Sequence, residues 1–297
     1  MSSFFLRFLI GRLNHVTKAF VENRDAGKTW DECPIEDHQA QGIIKMPLTV
    51  ARYAGSPDLF QIVDGVVNVI HRSAVSVLSS RLLALILERI LLSTDSPRDA
   101  ISWAGSPEAT SRLSPGSIEI IRFILNDSLI NEYASFTIRF GKAPLASQPE
   151  RYRRMKIQSN IVRSLMKTSN LQEALDSLPS EDKEYVDGCL LTVPDTESTS
   201  ATLSQVVGAL GLSCEVPGAL LSSLYIARWS SNYAEAVEAN ILAGGDNCSR
   251  SLVIGGLFGG ASGQIIPEDY LRQMHEAALA EMCSLASEIA ASNTNLA

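Results

Sequence analysis

The sequence predicts an all-α fold, and three observations carry that expectation. Val75, Leu78, Leu82, Leu85 and Ile86 lie along one face at helical spacing, with no strand-like alternation around them. Glycines recur every four residues in two rows, Gly255, Gly259 and Gly263 beside Gly256 and Gly260, which suits close helix packing. Serine–proline and asparagine signals of the kind that open helices punctuate the chain, as at Ser96-Pro97 and Ser231-Asn232. No fixed-period repeat is present.

In chain order, MSSFFLRFLIGRLNHVTKAF carries Arg7, Arg12 and Lys18 with no acidic residue before Glu22, so it reads as a basic amphipathic helix or a targeting segment. A turn-rich stretch from Ala26 to His38 precedes a helix expected over Gln39 to Ala54, kinked or bounded by Pro47. Leu59 to Leu92 reads as two helices. Further helices are expected from Pro97, where Asp99 suits the positive helix end, and over Ser117 to Asn131. Phe136 to Arg154 has no clear assignment, and Arg151, Arg153, Arg154 and Lys156 read as a solvated basic face. Helices follow over Leu171 to Leu178, Ser200 to Leu210, the stretch after Pro217-Gly218, and SSNYAEAVEANILA, with Ser231 or Asn232 as its cap. A last helix is expected from Glu268 to Ala291. The whole chain is read as one domain over 1–297.

Composition bounds function. The 297 residues include 25 basic and 33 acidic side chains, a net charge of −8, which argues against nucleic acid as a partner. Five cysteines, widely scattered and without a C-x-x-C pair, fit neither a disulfide framework nor a zinc knuckle, so a reducing compartment is expected. That makes the cytoplasm the expected location, with a mitochondrion or another organelle as the alternative if the amino terminus is a targeting segment. No apolar run reaches the ~20 residues a membrane span needs. There is no G-x-S-x-G elbow, no H-E-x-x-H pair and no strand before the late glycines, which weakens serine hydrolase, zincin and dinucleotide dehydrogenase readings.

The best candidate chemistry lies in Gly244-Gly245-Asp246-Asn247-Cys248-Ser249-Arg250. Asp246 and Ser249 are oxygen ligands of the kind Mg²⁺ prefers, although from the residues alone the N-cap of the next helix is the favoured role for Asp246. Asn247 is placed either to hydrogen-bond a polyol or to cap. Gly244 and Gly245 allow the sharp turn. Cys248 reads as buried packing, and Arg250 as the partner of a phosphate or a carboxylate. Elsewhere His71, with Arg72 and Ser73, is either a substrate contact or a satisfied, partly buried histidine, and His38 reads as a surface pair with Asp37.

The stretch NILAGGDNCSRSLVIGGLFGGASGQIIPEDYL resembles the ADP-ribosylglycohydrolase family, in particular its J1-crystallin-like branch. GLSCEVPGALLSSLYIARW and KTWDECPIEDHQAQGIIKMPLTVARYAG resemble further pieces of that branch, and the similarity runs from about Thr17 to Tyr270. The resemblance implies a compact orthogonal multi-helix bundle that hydrolyses ADP-ribose linkages with two Mg²⁺ ions, held between an early Thr-Asp-Asp cluster and a late Asp-x-Asp-Thr/Ser cluster. On that pattern Asp246 is the first late aspartate and the catalytic carboxylate, and Ser249 the hydroxyl ligand. Gly244, Gly245 and Asn247 line the ADP-ribose site, and Cys248 falls at the second aspartate. The chain has no Thr-Asp-Asp motif, as though the sequence started inside the fold. The implied partner is ADP-ribose or an ADP-ribosylated substrate; Glu36 or Asp37 would be the second acid. The reading is Mg²⁺-assisted hydrolysis if activity survives, and otherwise an impaired ADP-ribose-binding or crystallin-like structural protein.

Overall fold

A computed structural model describes residues 14–145, 147–193, 201–261 and 266–292, and among them the fold is all-α with no strand. Two isolated bridges, Ile35 with His71 and Gln39 with Glu215, are the extended pairings. The basic stretch before Asn14 lies outside the described residues. No described helix is long and apolar enough to cross a membrane.

Helix α1 is His15–Asp25, opened by Asn14, whose side chain accepts from the Thr17 amide. Pro47 neither kinks nor ends a long helix: a 3₁₀ turn, Ile43–Lys45, leads into α2, Met46–Tyr53, with the proline in its first turn. There its missing N–H costs no hydrogen bond. Helices α3, Leu59–Asn68, and α4, Ala74–Leu92, match the two expected. Helix α5, Pro97–Trp103, is capped as its sequence predicts, the Asp99 amide donating to Ser96 Oγ at 3.2 Å. A single turn, α6, Pro107–Thr110, follows.

The helix expected over Ser117 to Asn131 is two helices, α7, Pro115–Leu125, and α8, Asp127–Lys142. Asn126 leaves helical geometry between them, and its side chain accepts from the Leu129 amide at 3.2 Å. The basic stretch forms α9, Gln148–Thr168, which α10, Leu171–Asp176, and α11, Ser180–Leu191, follow. Next come α12, Leu203–Leu210, α13, Gly218–Trp229, α14, Tyr233–Ala243, and α15, Asn247–Gly260. The carboxy-terminal helix is interrupted, giving α16, Glu268–Arg272, and α17, Glu276–Ser292.

The core centres on α13 and α4 rather than on the glycine helix. Every residue from Ala219 to Ala227 is buried, as is every one from Leu82 to Leu87, so over those stretches both helices are covered on all sides. Helix α15 buries one face, Arg250, Val253, Ile254, Leu257 and Phe258, chiefly against α13. Its two glycine rows behave differently. A Cβ at Gly256 would lie 2.6 Å from Pro47 Cγ, and one at Gly260 3.3 Å from Ile90 and Leu91, whereas Gly255 and Gly259 face open space and Gly263 is outside the described residues. Gly256→Ala is therefore expected to cost about 1–3 kcal/mol through overpacking. Gly259→Ala is expected to gain about 0.5–1 kcal/mol from helix propensity. Urea unfolding of the two variants checks the opposite signs.

The basic face also divides. Arg153 reaches Asp182 Oδ1 at 3.1 Å and the Glu181 carbonyl at 2.7 Å near the surface, but Arg154 is only 6% exposed. Its guanidinium donates to the Ala143 and Pro144 carbonyls, each at 2.7 Å, to the Phe140 carbonyl at 3.3 Å and to Tyr185 Oη at 2.8 Å. It thus satisfies the carbonyls freed where α8 ends.

Candidate functional site

Three backbone segments converge to build the site. Ala40 donates its amide to the Cys214 carbonyl at 2.6 Å, and Val216 donates to the His38 carbonyl at 2.7 Å. On its other side the same segment receives the late loop, the Asp246 amide donating to the Leu212 carbonyl at 2.8 Å. Residues 212–216 therefore lie between the 38–40 stretch and the Gly244–Arg250 loop.

The late loop turns on two left-handed glycines, Gly244 at φ +73° and Gly245 at φ +69°. A Cβ at Gly245 would fall on the Leu212 carbonyl and 2.6 Å from Leu212 Cβ, while nothing approaches Gly244. Asp246 takes the capping role, its Oδ1 accepting from the Ser249 amide at 3.3 Å at the start of α15. Asn247 Oδ1 accepts from Arg250 at 2.8 Å. Ser249 is half-buried, and Cys248, expected inside, is exposed. Its position in the first turn of α15 points it outward from a helix that buries only one face.

Arg250 pairs with no carboxylate among the described residues; its partners there are amide and carbonyl oxygens. It is fully buried, and its Nε donates to Asn240 Oδ1 at 2.7 Å, while Nη2 donates to the Gly244 carbonyl, Asn247 Oδ1 and, at 3.4 Å, the Asn240 carbonyl. Asn240 returns donors to Ser251 Oγ at 2.8 Å and the Asn247 carbonyl at 3.1 Å. The guanidinium so sits at the carbonyl end of α14, where a cation is favourable. Its Nη1 has no partner among the described residues, and burial pulls its pKa down while Asp246 opposes that shift.

The acidic and imidazole groups gather at the opposite edge. Asp37, a candidate second acid, pairs with His15 at 2.5 Å rather than with His38, and His38 Nδ1 meets Ser73 Oγ at 2.8 Å. Glu36 is exposed. Burial pushes the Cys214 thiol up, and Asp246, Glu215 and Asp37 all add to that shift. A thiol held protonated in that way is no poised nucleophile. His71 is fully buried yet unsatisfied, with neither ring nitrogen hydrogen-bonded among the described residues. Gln41 Oε1 and the hydroxyls of Ser76, Ser79 and Ser80 share that condition. The sequence singled out His71 but not the serines around it, because serines on an apolar helix face read as small packing residues.

Burial lowers the His71 pKa below 6.5, with Lys45 and His15 assisting and Asp37 opposing. The unfolded chain then takes up a proton on His71 before the native protein does, so this contribution is complete above pH 6.5 and is lost as pH falls below it. Wild type is expected to lose more stability between pH 7.5 and 5.5 (about two units) than His71→Gln, in urea midpoints taken across that range.

The donor set does not fit a divalent cation. Mg²⁺ demands near-octahedral oxygen coordination, in protein sites anchored by carboxylates. At the loop Asp246 is the one carboxylate and caps a helix, Asn247 Oδ1 is engaged by Arg250, and a fixed guanidinium lies beside them. Among the described residues no three His, Cys, Asp or Glu side chains are arranged to hold a metal.

The described residues thus form an all-α bundle in which a glycine-turned aspartate loop opens helix α15. The sequence model of the ADP-ribosylglycohydrolase family matches residues 5–295, and the chain belongs to that family. No curated protein is significantly similar to it.

Proposed function

We propose that this chain is a catalytically impaired member of the family that binds ADP-ribose, or the ADP-ribosyl group of a modified substrate, without hydrolysing it efficiently. The observation that carries the reading is the chemistry of the late loop, where Asp246 is engaged in capping, Asn247 Oδ1 is held by the buried Arg250 guanidinium, and the resemblance puts Cys248 at the position of the second aspartate. Hydrolysis at an anomeric carbon needs an activated water and a means of stabilising charge on the ribose ring. A capping Asp246, an Asp37 paired to His15 and a protonated Cys214 thiol supply neither. Recognition needs less. Open space beside Gly244 lets a ligand approach the backbone, and Gly245, Asp246 and Asn247 present the same turn. The stretches GLSCEVPGALLSSLYIARW and KTWDECPIEDHQAQGIIKMPLTVARYAG supply the strip beside the turn and the 38–40 segment beyond it, and support placing the chain in the J1-crystallin-like branch.

The test is calorimetric titration of ADP-ribose into the full chain, in magnesium and then in chelator, beside an assay for release of ADP-ribose from a modified protein. Saturable binding unchanged by chelator, weakened about tenfold in Asp246→Ala (about 1.4 kcal/mol), with no release, is the expected result. Magnesium-dependent release lost in that variant would restore the active-enzyme reading. Absence of binding by the folded chain would leave a structural, crystallin-like role.

A further inference from the structure

A cation in a loop of this kind does two jobs: it places positive charge beside an acid, and it gathers oxygen atoms from separate stretches of chain. Arg250 performs both. Asp246 is near enough to favour the charged form of Arg250, whose Nε and Nη2 collect oxygens from Asn240, Gly244 and Asn247, which span the end of α14, the turn and the start of α15. The group is the largest fully buried side chain described, and its remaining nitrogen, Nη1, has no partner among the described residues. A planar guanidinium retains its charge when buried and offers donors in a rigid fork, which suits it to hold several carbonyl oxygens at once. A divalent cation at Asp246 would meet that charge at close range with little water between them to screen it. It would also compete for Asn247 Oδ1, which Arg250 already holds at 2.8 Å.

We propose that Arg250 is a built-in replacement for the loop's metal, so that the turn between α14 and α15 is set by the chain itself and excludes divalent cations. The inference stands on the loop's geometry, and its test uses metal alone, so its outcome is separate from whether ADP-ribose binds. Two consequences follow. Removing divalent ions leaves the fold untouched, and restoring an acid to the loop is not enough to recruit a metal while Arg250 remains.

The experiment is Mn²⁺ titration of the full chain, followed by the electron paramagnetic resonance signal of the free ion. Wild type, Cys248→Asp and Arg250→Met/Cys248→Asp are compared, with thermal melts in chelator. Cys248 is exposed, so its single variant is expected to fold. Wild type and Cys248→Asp are expected to take up no Mn²⁺ saturably, and the wild-type melting temperature to be the same with and without chelator. The double variant is expected to bind Mn²⁺ at least about tenfold more tightly than either. Saturable Mn²⁺ uptake by wild type that Asp246→Asn abolishes overturns the proposal. So does uptake by Cys248→Asp equal to that of the double variant, or a folded double variant with no gain. If the double variant does not fold, the wild-type and Cys248→Asp titrations decide the matter alone.

Discussion

Replacing Arg154 with alanine is expected to destabilise the protein by about 3–5 kcal/mol, one of the largest single-residue effects in the structure. The guanidinium is the shared partner of the Phe140, Ala143 and Pro144 carbonyls and of the Tyr185 hydroxyl, which in turn donates to Glu150 Oε1 at 2.8 Å. Truncation strands those carbonyls where α8 gives way to α9, and each unpaired buried acceptor costs about 1–3 kcal/mol. It also removes an aliphatic stem packed beside the Phe140 and Tyr185 rings, whose centroids lie 5.4 and 5.9 Å from the guanidinium carbon. Arg153→Ala, whose partners lie nearer the surface, is expected to cost about 1 kcal/mol or less. Urea unfolding of the pair separates the buried hub from its exposed neighbour, and equal losses would contradict the assignment.

Gly245→Ala is expected to cost about 2–4 kcal/mol and to disturb the late loop specifically. Two penalties combine. The residue sits at φ +69°, and a methyl group there would overlap the Leu212 backbone. The hydrogen bond from the Asp246 amide to Leu212 must then lengthen or break, moving Asp246 away from its cap. Gly244→Ala meets no neighbour, but its φ of +73° and ψ of −163° belong to a region essentially restricted to glycine. It therefore carries the conformational penalty without the clash. Amide exchange at Asp246 and Ser249 distinguishes the two, since only Gly245→Ala is expected to free both.

The helices were legible wherever a local signal set their ends. Ser96 before Pro97, and Asn232 accepting from the Glu235 amide at 3.0 Å, cap as their sequences suggest. Asn126 was harder, because its flanks are apolar at helical spacing and the break depends on one side chain turning back to an amide. Helix α11 escaped notice because it buries only Val186 and Cys189 within an acidic run, which gives no apolar stripe to read. The site divides along the same line. The turn at Gly244-Gly245 and the cap at Asp246 are local and were visible. Arg154 and Arg250 resemble their exposed neighbours in sequence, and only carbonyls contributed by other segments decide that they are buried. Likewise Asp37 has His38 beside it in the chain, yet its partner is His15, brought back by α1.

The strip from Leu212 to Val216 has a kinetic consequence. Its bonds to His38, Ala40 and Asp246 join stretches from opposite ends of the chain. Such pairings carry a high loop-closure penalty and form once the helices they connect have docked. The proposed recognition surface is thus expected to mature late in folding. In native-state hydrogen exchange the amides of Ala40, Val216 and Asp246 would open as one cooperative unit, ahead of the protected interior of α13. Ligand binding at the late loop would then slow exchange at Ala40, so an early-sequence amide would report occupancy of a late-sequence site.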